Sequence, residues 1–76
     1  MDINEFVKTY FRLYYHLKPN KQIILQTHYG DFYKITDFEI IPNVEVIKLW
    51  IKSKNKDDIL YVNFRDIRDV FDMFSL

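Results

Sequence analysis

The sequence predicts an α+β domain: an N-terminal amphipathic helix, a four-stranded antiparallel meander and a short C-terminal helix. Three observations predict it. Ile3, Phe6, Tyr10, Leu13 and Leu17 recur at helical spacing near the start of the chain. β-Branched and aromatic residues then dominate as far as Phe64, interrupted by short polar turns. Near the end, Ile67, Val70, Phe71 and Phe74 stand at i, i+3, i+4 and i+7.

The first helix is expected over residues 2–17. Val7 and Tyr14 widen its apolar stripe by one row, giving a broad buried face. Asp2 is a capping residue with Glu5 in capping-box position. Lys18 complements the negative end of the helix dipole, and Pro19–Asn20 stops the helix. Lys8, Arg12 and Tyr15 fall on the opposite side.

A first strand is expected over residues 22–29, ending in a Tyr29-Gly30-Asp31 turn that uses the single glycine. The second strand spans residues 32–41, and its alternation drifts. Tyr33 and Ile35 share one phase while Phe38 and Ile40 share the other, which predicts a bulge or sharp bend near Thr36-Asp37. Pro42-Asn43 forms the next turn. The third strand covers residues 44–52, with Ile47, Leu49 and Ile51 on one face and Val46, Lys48, Trp50 and Lys52 on the other. Ser53 to Asp58 reads as a polar loop and residues 59–64 as the fourth strand. Short connections imply antiparallel neighbours. The fourth strand, or the first, is expected at an open sheet edge, and Ile59 to Phe64 carries no charge or proline to guard it.

The tail from Arg65 to Phe74 reads as a helix whose exposed side pairs Arg65 with Asp69 and Arg68 with Asp72. A turn followed by a fifth strand is the competing reading. With the bulge, it would let the same order curl into a small SH3-like or Sm-like barrel.

Length and composition set the class. A chain of 76 residues makes one domain, residues 1–76. It buries roughly 63 % of its unfolded surface, near the lower limit for folding alone. No cysteine is present, so disulfides and thiolate metal sites are excluded, and two histidines are too few for most imidazole sites. Stability must come from core packing or from a partner chain. Six Tyr, seven Phe and one Trp supply that packing. No apolar run is long enough to span a bilayer, and the acidic start Met1-Asp2-Ile3-Asn4-Glu5 lacks a secretory pattern, so a cytoplasmic location is expected.

Catalytic and cofactor motifs are absent from the sequence. One glycine cannot build a phosphate cradle, and there is no HExxH, CxxC or GxSxG. Serine occurs only at positions 53 and 75. His28 beside Asp31 reads as an exposed turn residue rather than an acid–base pair, and His16 as a helix-end cation. Asp66, Asp69 and Asp72 read as a solvated strip; a metal would need converging ligands, for which Asp37 and Glu39 on one face of the second strand are the available donors. The expectation is a non-enzyme with no cofactor and no metal.

The charges are more informative. Residues 1–56 hold nine Lys or Arg against six Asp or Glu, and residues 57–76 hold two against five. The chain is neutral overall but polarised, which favours self-association through complementary patches. Lys48, Trp50 and Lys52 alternate on one strand face and Lys54 follows. A helix covering Trp50, with lysine stems around it, is the structural account of this pattern. The functional account makes Lys48, Trp50, Lys52 and Lys54 the partner-binding residues, with Trp50 as anchor and the lysines steering acidic surfaces.

The sequence therefore predicts a small non-catalytic binding module that acts by protein–protein contact and forms a homo-oligomer. Size and composition are those of phage and mobile-element proteins that inhibit a host factor. One alternative is a nucleic-acid-binding small β-barrel, in which lysines track phosphates while an aromatic stacks. The other is an oligomeric protein that binds a small ligand between subunits.

Overall fold

Asp2 caps the helix in the computed structural model, which describes residues 1–54 and 56–74: its carboxylate accepts the Glu5 N–H at 2.7 Å. The helix, α1, spans Ile3–Tyr15. His16 closes it, its N–H donating to the Leu13 carbonyl. Phe6 and Tyr10 are its buried residues. Tyr14, expected in the core because it widens the apolar stripe, is more than half exposed. Its ring stacks on Tyr10 at 6.1 Å and borders the hollows between the last turn of the helix and the sheet instead of filling them.

Five strands follow: β1 (Lys21–Thr27), β2 (Phe32–Ile41), β3 (Val46–Ser53), β4 (Lys56–Asn63) and β5 (Ile67–Phe74). They form one sheet in the order β4-β3-β2-β1-β5, and every neighbouring pair is antiparallel. The sheet is not closed, because β4 and β5 are both edges. The class is α+β, as expected, but the meander has a fifth strand in place of a C-terminal helix. The open edge belongs to β4 and not to β1, which lies between β2 and β5. The polar loop expected over Ser53–Asp58 is shorter, since β3 runs to Ser53 and β4 starts at Lys56; Asn55 lies outside the described residues.

The tail misleads for a local reason. The register of β1 against β5 shifts between Gln26 and Thr27, so Thr27 faces Ile67 while Gln26 faces Asp69. Arg68 is the extra residue of that bulge. It lets Ile67 and Val70, three positions apart, both point into the core, which imitates helical spacing in a strand. The expected helical pairs Arg65–Asp69 and Arg68–Asp72 do not form. Asp72 instead pairs with Lys21 across the sheet at 3.2 Å. Phe74 is exposed and Phe71 lies on the other face, opposite Ile24, so neither joins the core beneath the helix. A 3-10 turn, Phe64–Asp66, links β4 to β5 and is capped by Asn63, whose side chain accepts the Arg65 N–H at 3.1 Å.

The bulge expected near Thr36-Asp37 is present. Ile35 faces Ile51, Asp37 faces Trp50, and Thr36 is the unpaired residue between them. Its hydroxyl donates to the Trp50 carbonyl at 3.2 Å. The phase change returns Phe38 and Ile40 to the same side as Ile35, opposite Leu49 and Ile47. One face of the sheet is therefore continuously apolar. Leu25, Ile47, Leu49 and Ile67 on that face, with Phe6 from α1, are fully buried. Each contributes about 1.5–3 kcal/mol by leaving water. The Phe6 ring meets Phe38 and Phe64 edge to face, at 5.1 and 5.7 Å between centroids. The Met1 ammonium donates to the Phe64 and Ile67 carbonyls at 3.4 and 3.3 Å, holding the start of α1 over the β4–β5 corner.

No helix among the described residues is long and apolar enough to cross a membrane.

Candidate functional site

β3 divides the molecule. Its inward residues Ile47, Leu49 and Ile51 lie in the core, so alternation forces Lys48, Trp50 and Lys52 onto the helix-free face. The helix does not cover Trp50. The side chain is half-buried by its neighbours in the sheet alone. Lys48 lies against it, with the ammonium 4.8 Å from the centroid of the indole.

The partners of these residues come from β2 and β4. Lys48 stands opposite Glu39 on one side and Tyr61 on the other. Trp50 stands between Asp37 and Ile59, and Lys52 between Lys34 and Asp57. Ile59 is 46 % exposed and Tyr61 is 59 % exposed, although both lie within a strand. The face is thus an aromatic and aliphatic centre, Trp50, Ile59 and Tyr61, flanked by lysines of which two face carboxylates across the strands.

Of the four residues expected to bind a partner, Lys48 and Trp50 touch, and Lys52 continues the same face. Lys54 does not belong to it. It lies in the β3–β4 turn with a left-handed φ of 50°, exposed to solvent. Ile59 and Tyr61 were missed as members, yet the signal was there: Leu60 and Val62 alternate with them, and the packing of that pair against the core fixes the outward pair.

Other sequence candidates fall away from this face. His28 is exposed in the β1–β2 turn and makes a backbone bond to the Asp66 carbonyl at 2.9 Å. That turn is held by Thr27, the one buried polar residue described, whose hydroxyl accepts the N–H groups of Tyr29 and Asp31 at 3.3 and 3.2 Å. His16 is the exposed helix cap. Among the described residues, no three His, Asp or Glu side chains converge as metal ligands would. A surface hollow of about 500 Å³ lies between the first turn of α1 and the 3-10 turn, lined by Met1, Asp2, Phe64 and Arg65 among others. There the Asp2 carboxylate already serves the helix cap.

No protein-family model, curated protein or solved structure matches the chain.

Proposed function

We propose that the chain is a non-catalytic binding module that docks on a protein partner through the helix-free face of the sheet, with Trp50, Ile59 and Tyr61 at the centre of contact. The observation that carries this reading is the exposure of Ile59 and Tyr61 beside Trp50 on a face that no other element among the described residues covers. Aromatic anchors surrounded by polar residues have the composition of interface hot spots. Lys48 and Lys52 tune the approach of an acidic surface, while Glu39 and Asp57 opposite them favour a partner of mixed charge.

The same carboxylates weigh against nucleic acid as the partner. A phosphate-tracking groove gathers cations without interleaved anions, whereas here Glu39 and Asp57 intervene. Self-association fits alongside the docking reading. β4 and β5 are both unpaired edges, and Ile59 to Val62 presents its backbone with no charge or proline in the way.

The test is a comparative pull-down with the wild-type chain, Trp50→Ala and Tyr61→Ala, each checked for unchanged circular dichroism. The expected result is one protein retained by the wild type and lost from both variants. Retention by both variants overturns the reading, as does a salt-sensitive shift with single-stranded RNA that needs Lys48 and Lys52. Sedimentation of the purified chain reports self-association directly.

A further inference from the structure

A second surface lies across the β2 bulge from Trp50. The last turns of α1 and the bulge enclose an open cleft of about 390 Å³, lined by Tyr10, Phe11, Tyr14, Thr36, Asp37 and Phe38. We propose that this cleft binds an arginine side chain presented by a protein partner.

The lining has the two elements that a guanidinium needs. The first is a set of ring faces. Phe11 is 41 % exposed and Tyr14 is 54 % exposed. Both are fixed by ring contacts, Phe11 edge-on to Phe38 and Tyr10 at 6.0 and 5.7 Å, and Tyr14 stacked on Tyr10 at 6.1 Å. Ordered rings offer a cation their faces with little entropy left to lose. The second is an uncompensated charge. The bulge sends Phe38 under the helix and leaves Asp37 at the cleft. The Asp37 carboxylate accepts only its neighbour's N–H, from Phe38 at 2.8 Å, and makes no ion pair among the described residues. Its charge reaches the cleft, since it helps to raise the Tyr10 phenol. The C-terminal end of α1 adds a partial negative charge on the same side.

These features select the occupant. An apolar side chain would desolvate Asp37 without satisfying it. A phosphate or carboxylate would be repelled. A planar guanidinium stacks on a ring and donates two parallel hydrogen bonds to a carboxylate at once, which a compact ammonium cannot do. The adjoining hollow, about 210 Å³, carries Lys21 and Lys34 instead, so the cation-accepting character is confined to the Asp37 end.

The inference stands apart from the docking reading and is tested on the isolated protein. N-acetyl-arginine amide is titrated while the ring protons of Phe11 and Tyr14 are followed by NMR. The expected result is a saturable shift, weakened about threefold to fivefold by Asp37→Asn, by Tyr14→Ala and by the neutral citrulline analogue, and unchanged in Tyr61→Ala. Melting curves establish that each variant is folded. The proposal is overturned by the absence of a saturable shift, by equal affinity for arginine and citrulline amides, or by full affinity in Asp37→Asn. Tighter binding of the trimethyl-lysine amide than of the arginine amide also overturns it, because the site would then be a quaternary-ammonium cage.

Discussion

The Lys48 ammonium lies 4.8 Å from the centroid of the Trp50 indole, on the face of the sheet that the helix leaves open. At an exposed site such a contact is worth about 0.5–1 kcal/mol. Lys48→Met keeps the stem over the ring and removes the charge. Urea unfolding followed by the fluorescence of Trp50, the single tryptophan, should show a loss of about 0.5 kcal/mol. A larger loss would mean that Lys48 holds the strand itself in place.

Tyr10 makes alkaline stability sensitive to one phenol. Burial first, and then the negative charge of Asp37, raise its pKa above the ordinary 10.0. The folded state therefore holds this proton more tightly than the unfolded chain does. The resulting stability is fully present below pH 10.0 and is lost as pH rises through the higher folded value. Tyr10→Phe should remove that part of the alkaline decline. Melting temperatures across this pH range check it, and an unaltered slope in the variant would refute the assignment.

The two ends of the aromatic inventory should behave oppositely. Phe6 is fully buried between Phe38 and Phe64, so Phe6→Ala should cost about 3–5 kcal/mol, enough to unfold a domain of this size. Phe74 is exposed and touches the Lys21 ammonium at 4.9 Å. Phe74→Ala should cost no more than about 1 kcal/mol. Denaturation midpoints for the two variants decide this.

Glu45 carries a left-handed φ of 49° in the β2–β3 turn, where its carbonyl accepts the Phe64 N–H at 3.0 Å. A side chain there costs about 1–2 kcal/mol that glycine avoids, offset by the greater freedom glycine has when unfolded. Glu45→Gly should stabilise the chain by about 0.5 kcal/mol, read as a higher melting temperature.

Much of this architecture was legible in the residues, and the misses share a cause. The expected helix over residues 2–17 and second strand over residues 32–41 correspond closely to α1 and β2, because the helical stripe is long and regular and turn residues, Gly30-Asp31 and Pro42-Asn43, bound the strand. The break in phase at Thr36 also showed in the sequence, since Ile35 and Phe38 are both apolar at an odd spacing. The same kind of break at Arg68 produced the opposite inference. There, a bulge set Ile67 and Val70 three apart in a short segment, and nothing local distinguishes that from a helical turn. What decides it is β1, whose free edge accepts β5 some forty positions later, a long-range term absent from any local window. The site divides similarly. Alternation alone placed Lys48, Trp50 and Lys52 together, whereas Ile59 and Tyr61 joined them only once β4 was paired in register, and Lys54 left because β3 ends at Ser53 and Lys54 falls in the turn.

β2 bonds to β1 only from Phe32 to Ile35, and to β3 from Lys34 to Ile41. One continuous strand thus serves two hairpins that overlap at Lys34 and Ile35. Beyond the bulge, the backbone is tied to β3 alone on its ladder side. The seam between the two ladders falls inside a strand. The piece containing β3 and β4 is joined to α1, β1 and β5 through the core instead, where Ile47 and Leu49 are fully buried and Phe38 meets Phe6 and Tyr10 at 5.1 and 4.7 Å. Where the backbone ladder stops, side-chain packing takes over its task of holding the two hairpins together.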